Sequence, residues 1–234
     1  MGSAEIIGIG LLAGGSVALG GYLFWRYFWF FRNPIRQIAR GENIVSPADG
    51  TVVYAMKVGP GDPVISIKRD KKLSVKDIVR EDLQRTKILI GIFMSPFNVH
   101  YNRCPVSGAV EFVKHHEPVF KNYHMYSMHW RSFLKRMPLY VNSAHIIANE
   151  RSVTNISSIF RGKRISCYVV QIAGGSVCGI ESFVTPGLEV AKGSIFGMIR
   201  IGSQVDLVVT YEDSMKLMVQ AGDKVRAGET ILVQ

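Results

Sequence analysis

From Ile6 to Trp25 the chain carries no charged side chain, and that run constrains its fold more than any other feature. A helix of this length reaches about 30 Å, the thickness of a bilayer core. Tyr22, Phe24, Trp25, Tyr27, Phe28, Trp29, Phe30 and Phe31 crowd its far end, and Arg26, Arg32, Arg36 and Arg40 lie among and after them. Aromatic rings suit a membrane–water interface, and positive charge marks the cytoplasmic side. The run reads as an anchor in the cell membrane, with the N-terminus across the bilayer and the rest of the chain facing the cytoplasm. A cleaved signal peptide would want positive charge ahead of the apolar run, where only Glu5 and the amino terminus stand. A buried core helix would rarely be so rich in glycine. A re-entrant or interfacial anchor stays open, because Gly8, Gly10, Gly14, Gly15, Gly20 and Gly21 weaken a water-exposed helix. Residues 1–40 are therefore taken as the anchor and its basic juxtamembrane segment, and 41–234 as one soluble domain.

The soluble part is patterned mainly for β structure. Val45 and Thr51–Ala55 flank a turn at Ser46-Pro47-Ala48-Asp49-Gly50, and residues 87–94, 166–172 and 205–209 are apolar runs of strand length. Helix is less evident, with a short one expected at 77–85. Residues 186–193 and 221–228 share the pattern Gly, two residues, Val, two residues, Gly. Such a repeat places glycines at turns that need positive φ and turns each valine to the core. It is the loop signature of a barrel-sandwich hybrid. The expected class is mainly β (α+β), a barrel-sandwich hybrid-like core behind an N-terminal membrane helix.

The net charge is +10, from 28 Lys and Arg against 18 Asp and Glu. That balance favours anionic partners. No nucleic-acid-binding motif accompanies it, so an acidic lipid surface is the expected partner and nucleic acid is not. Cys104, Cys167 and Cys178 form an odd set without a Cys-x-x-Cys, and read as reduced core residues. His115, His116, His124 and His129 are interleaved with Phe120, Tyr123, Tyr126, Trp130 and Phe133. Their spacing matches no metal-ligand pattern, so no metal is expected, and the segment reads as an amphipathic loop or lid at the membrane interface. The charged residues 68–87 are either a solvated loop or a patch resting on acidic head groups.

Among the Gly-Ser pairs of the chain, Gly202-Ser203 lies between two β-like apolar runs. A serine there can attack the preceding carbonyl, and glycine leaves the backbone free to bend into the required geometry. An N→O acyl shift and elimination would then cut the chain and leave a pyruvoyl group at position 203. Further motifs accompany it: Phe30-Phe31-Arg32-Asn33-Pro34, Val45-Ser46-Pro47-Ala48-Asp49-Gly50, residues 93–105 with Ser95-Pro96-Phe97-Asn98-Val99-His100, Asn149-Glu150-Arg151, and residues 197–203. In that order they resemble the phosphatidylserine decarboxylases, in particular the short bacterial and archaeal type, from residue 30 onward.

The resemblance implies a self-cleaving enzyme with a β chain of 1–202, an α chain of 203–234, and a covalent pyruvoyl cofactor derived from Ser203. Its ketone would condense with the substrate amine as a Schiff base and take up the electrons released with CO₂. Phosphatidylserine or archaetidylserine would become the corresponding ethanolamine lipid. Asp49 and His100 fall on the family's aspartate and histidine. Either could serve the cleavage as base, and His100 is the candidate proton donor in turnover. Arg103 and Arg200 are candidates for the lipid phosphate. Arg103 stands where larger members carry a second histidine, Cys178 and Gly179 stand where short members carry arginines, and Gln204 replaces a common arginine. Asn149, Glu150 and Arg151 read as a structural network near the cleft. The rival reading is a non-catalytic, membrane-tethered barrel-sandwich module, which the glycine repeats suit equally well. A homodimer through the anchor or a sheet edge is compatible with either.

Overall fold

A computed structural model describes the chain except residues 1, 61–64, 69–70, 74–83, 142, 176–178 and 201–202. Its contacts divide into two compact units, Met1–Pro34 and Ile35–Gln234. In the first, helix α1 (Ser3–Phe24) runs on into a π-helical turn, Trp25–Trp29. The stretch Ile7–Trp29 is long and apolar enough to cross a membrane. The Arg26 guanidinium lies 5.7 to 6.0 Å from the rings of Tyr27, Phe31 and Phe30, and that of Arg32 lies 4.3 Å from the Trp29 ring. Cations stacked on aromatic rings suit the interfacial end of such a helix.

The second unit is built on one eight-stranded antiparallel sheet, in the order β11-β7-β8-β9-β13-β5-β2-β14. These strands are β2 (Gly50–Val58), β5 (Lys87–Met94), β7 (Gly108–His116), β8 (Arg151–Phe160), β9 (Lys163–Ala173), β11 (Glu189–Val190), β13 (Ser203–Thr210) and β14 (Lys224–Val225). Short pairings surround it: β1 (Ile44–Val45) with β15 (Ile231–Val233), β3 (Ile65–Lys68) with β4 (Lys71–Leu73), and β6 (Tyr101–Arg103) and β10 (Ile180–Ser182) on either side of β12 (Ile195–Ile199). Helices α2 (Tyr126–Phe133) and α3 (His145–Ala148) lie between β7 and β8 in the chain. The mainly β fold and the N-terminal apolar helix agree with the sequence. The expected 77–85 helix falls mostly outside the described residues, and 84–85 are not helical.

Both faces of the sheet are covered, which explains why its central strands read as unbroken apolar runs. Ile88, Ile90, Ile92 and Met94 of β5 join Val205, Leu207 and Val209 of β13 in one core. Leu89, Phe93, Val208, Val170 and Tyr54 join a second, into which Met125, Met128, Leu139 and Ile146 pack from the helical segment. Cys104 and Cys167 are buried and unbridged.

The sheet is duplicated about the β9–β13 pair. Both glycine repeats adopt positive φ at both ends, at Gly187, Gly193, Gly222 and Gly228, and bury Val190 and Val225. Each repeat is hooked to a second motif, residue-Pro-x-x-Gly-x-Val, found at 46–52 and 104–110. Val52 exchanges backbone hydrogen bonds with Gly222 and Asp223, as Val110 does with Gly187 and Leu188. Gly228 donates to Ser46 and Gly193 to Cys104, each at 2.8 Å. Gly50 and Gly108 approach the Phe93 and Ser157 carbonyls so closely that a Cβ would stand 2.2 and 2.0 Å from oxygen.

Ile38 closes the two hooks, with its Cδ1 where a Cβ on Gly193 or Gly228 would come to 2.4 or 2.7 Å. Residues 36–39 thus pack with the β unit. Gly187 has the same left-handed backbone but open space around it. Gly187→Ala is expected to cost about 1–2 kcal/mol of backbone strain, and Gly193→Ala a further ~1–3 kcal/mol of overpacking against Ile38. Urea unfolding of the two variants beside wild type checks the difference.

Candidate active site

Ser203 is the first residue of β13 and is fully buried, paired in register with Met94 on β5 and Ala173 on β9. Strand alternation turns its side chain to the same face as Val205 and Leu207. Its hydroxyl donates to the Met94 thioether at 3.4 Å, a weak acceptor. Asn102 approaches the same sulfur at 3.7 Å and accepts from Gln171 Nε2 at 2.8 Å. Gln171, Asn102 and Ser203 have no exposed surface, and Gln171 Oε1 has no hydrogen-bond partner among the described residues. A Cβ on Gly197 would stand 3.1 Å from Gln171 Nε2 and 2.6 Å from the Glu181 carbonyl, so only glycine fits beside that amide. Gly202 lies outside the described residues.

His100 reaches this region through the loop that follows Met94. Asn98 Oδ1 accepts from the Ser95 N–H and hydroxyl, both at 2.8 Å, which tightens the turn. The His100 ring then places Nδ1 2.9 Å from the Asn98 carbonyl. A carbonyl only accepts, so Nδ1 carries the proton and Nε2 is the basic nitrogen of the neutral ring. The His100 carbonyl in turn accepts from Ile199 N–H at 3.4 Å. One end of the 94–100 loop therefore meets Ser203 and the other meets Ile199.

Asp49 stands in a different cluster. Its Oδ2 accepts from Arg36 at 2.7 Å, its Oδ1 accepts the Ala227 N–H at 2.8 Å, and Arg36 also lies 3.5 Å from Glu229. It precedes Gly50, on a strand separated from β13 by β5, or roughly 10 Å of sheet. Its counterpart in the duplication, Ser107, accepts the equivalent Lys192 N–H at 2.9 Å. The bond to Ala227 is thus a turn function that needs no charge; the Arg36 ion pair is what Asp49 adds. Arg103 belongs to the same surroundings, donating to the Gly193 carbonyl at 2.8 Å. Partial burial and the neighbouring Arg36 charge lower its pKa, against Asp49 and Glu229. Arg200, one residue past the end of β12, pairs with Glu181 on β10. Asn149 fulfils the structural reading: its Nδ2 donates to the Tyr123 and Ala173 carbonyls at 2.8 and 2.6 Å, and Ala173 is the register partner of Ser203.

Sequence reasoning missed the buried polar network on the other face of β13. Gln204 Nε2 donates to Tyr54 Oη and to Asp206 Oδ1, both at 2.7 Å, and Tyr54 donates to Asp206 Oδ2 at 2.8 Å. Gln204 Oε1 lies 3.0 Å from His145 Nε2, which must be the donor because an amide oxygen only accepts. Arg151, also fully buried, adds positive charge nearby. The available signal was a lone carboxylate at Asp206 inside an apolar run, since a buried charge requires partners.

Burial pushes Asp206 up to about 6, against the hydrogen bonds from Gln204 and Tyr54 and the charge of Arg151. Burial also pushes His145 down to about 4, against its bond to Gln204 and with help from Arg151. The two act oppositely on stability. Neutral His145 contributes stability above its unfolded value of about 6.5, lost as pH falls toward 4. Asp206 contributes stability below its unfolded value, lost as pH rises through about 6. Taken from pH 7 to 5, His145→Gln is therefore expected to gain stability and Asp206→Asn to lose more than wild type, each on the order of 1 kcal/mol. Urea midpoints at the two pH values give the signs.

Residues 23–233 match the family model described as phosphatidylserine decarboxylase. The chain is 34% identical over 227 residues to the phosphatidylserine decarboxylase proenzyme of Chlorobaculum tepidum, covering 94% of this chain and 81% of that protein. The corresponding proenzyme of Carboxydothermus hydrogenoformans is 32% identical over 211 residues, covering 90% and 80%. A Methanocaldococcus jannaschii protein, provisionally named an archaetidylserine decarboxylase proenzyme, is 32% identical over 207 residues, covering 87% of each chain. With so much of its length matched, including the strand that begins at Ser203 and the loop that carries His100, the chain belongs to the phosphatidylserine decarboxylase family of carboxy-lyases.

Proposed function

We propose that this chain is a proenzyme that cuts itself between Gly202 and Ser203 and then decarboxylates phosphatidylserine or archaetidylserine at a membrane. The observation that carries this reading is the placement of Ser203: buried at the head of β13, with the 94–100 loop meeting both it and Ile199. In the cleavage, Ser203 Oγ attacks the Gly202 carbonyl and the amide becomes an ester. Elimination removes the residue 203 Cα proton and breaks the Cβ–Oγ bond, Gly202 leaves as a carboxylate, and the enamine left at residue 203 takes a proton at Cβ to become an imine that water hydrolyses to the ketone and ammonia. Exclusion of bulk water protects the ester from simple hydrolysis.

The residues present fit a pyruvoyl group at position 203. The site is buried, and the Gln171 amide has an oxygen without a partner among the described residues, at the end of the Ser203–Met94–Asn102–Gln171 chain. Once formed, the group supplies a ketone conjugated to an amide, an electron acceptor for carbon–carbon cleavage. His100 holds or delivers a proton through Nε2, and Gln171 and Asn102 orient what lies between them. Asp49 acts at a distance, by clamping Arg36 and the Ala227 turn. Arg103 and Arg200 supply positive charge toward the phosphate. The apolar Ile7–Trp29 helix supports anchoring, with the β unit on the cytoplasmic side.

A denaturing gel and intact mass of the purified protein are expected to show pieces 1–202 and 203–234, the smaller blocked at its N-terminus and labelled by a hydrazine. Ser203→Ala is expected to run as one band. A wild-type chain that stays whole, keeps an ordinary serine and still decarboxylates would falsify the reading. A whole, inactive chain would favour the tethered module.

His100→Gln is expected to slow cleavage and lower kcat by about 10²–10³-fold, with KM little changed. Asp49→Asn, which removes the charge paired with Arg36, is expected to slow cleavage less. The reverse order would make Asp49 the base. Parallel assays with the ester and ether lipids name the substrate.

A further inference from the structure

Helix α2 is inverted for a domain surface. Tyr126, Trp130 and Phe133 form a stripe at i, i+4 and i+7, and all are exposed, while the helix buries Met128. An amphipathic helix on a soluble domain turns such a stripe inward. Residues 119–137 around it contain no Asp or Glu, but carry Lys121, Arg131, Lys135 and Arg136. Val119, Phe120, Tyr123, Leu134 and Met137 of the same segment are exposed as well.

Trp130 and Phe133 of the stripe also line a cavity of about 330 Å³, together with apolar Phe97 and with polar Lys224, His129 and Ser132. Lys224 Nζ donates to Thr51 at 2.6 Å, and an ammonium has further donors to offer. His129 Nδ1 and Ser132 Oγ are buried and have no hydrogen-bond partner among the described residues. A cation, a hydroxyl and an imidazole in one lining with aromatic rings match an anion that carries an apolar tail. Ser95 and Phe97 of the lining lie on the loop whose first residue, Met94, pairs with Ser203.

We propose that α2 and this cavity form a docking site for an anionic phospholipid, with the aromatic stripe in the lipid interface and the phosphate held by Lys224, His129 and Ser132. The proposal rests on the reading that the enzyme works on a membrane lipid, and adds where the β unit meets that surface. Four basic residues with no Asp or Glu between positions 119 and 137 favour an acidic bilayer over a protein groove. The seated lipid is a bilayer lipid beside the substrate whose phosphate meets Arg103 and Arg200, and it lies one loop away from Ser203.

The full-length Ser203→Ala protein, reconstituted in nanodiscs, isolates docking from chemistry. Backbone hydrogen exchange of residues 126–134 is expected to slow about tenfold or more in discs containing phosphatidylglycerol relative to phosphatidylcholine alone. Inorganic phosphate added to phosphatidylcholine discs is expected to give no such protection. Ser132→Leu, which fills the cavity, and Lys224→Gln are expected to abolish it. With Ser203 intact, the same two substitutions should leave self-cleavage complete and raise KM for the serine lipid about tenfold while kcat stays within about twofold. Equal exchange in both discs, protection by phosphate alone, or an unchanged KM in both variants overturns the proposal. Failure of wild type to cleave would instead remove the proposed chemistry and leave the exchange result standing.

Discussion

Strand β13 has a hydrogen-bonded neighbour on each side, β5 and β9, and a packed core on each face. All of its residues from Ser203 to Thr210 are buried. A strand so enclosed cannot slip by one residue without exchanging its two faces, which would put Gln204 and Asp206 into the apolar core that now holds Val205 and Leu207. Register therefore fixes where Ser203 sits, opposite Met94 and Ala173. The same pairing bears on a cut ahead of Ser203. The 203–234 segment contains β13, β14 and β15, which pair with β5 and β9, with β2, and with β1. A chain severed there would keep its small piece by these ladders and by the cores on both sides of β13.

The duplication shows which features the fold requires and which are added. Gln204 and Asp206 pair with Phe93 and Gly91 on β5; the corresponding pairs in the other half join Ser166 to Ser157 and Tyr168 to Asn155. Met94 pairs with Ser203 where Ser158 pairs with Ile165. The backbone frame is thus matched while the polar residues of β13 are not. Ser203, Gln204, Asp206 and Asp49 occupy one half only. A sheet that needed only to stand would have no use for the difference, since burying such groups costs free energy unless each is hydrogen-bonded.

Strand 87–94 was legible to the residue, because an unbroken apolar run with β-branched residues between charged and proline punctuation has few other readings. The glycine repeats were legible too, since positive φ leaves a composition signature at Gly187, Gly193, Gly222 and Gly228. Their partner motif was not. Ser46 and Asp49 in one copy answer to Cys104 and Ser107 in the other, and only Pro, Gly and Val are kept. The sequence names Ser203 and His100 as candidates, but not the contacts by which the loop from Met94 to His100 meets Ser203 at one end and Ile199 at the other. The Tyr54–Asp206 bond spans 152 residues and the Tyr54–Gln204 bond 150. Such contacts depend on which strands become neighbours, and no local periodicity carries that information.

That network is also the reason Gln204 is not a spectator replacement. A side-chain amide can satisfy a buried donor and acceptor set only in one orientation, and here His145, Tyr54 and Asp206 together choose it. A polar group fully satisfied in a low-dielectric interior resists displacement, because moving it leaves its partners unpaired. Side chains alternate along a strand, so fixing Gln204 on one face fixes the direction of Ser203 on the other. Asp206 bears a cost for this, with burial shifting it up to about 6. Replacing such a set by well-packed apolar residues would often be neutral or stabilising. Its position under the first residues of β13 ties that cost to fixing the direction of the Ser203 side chain.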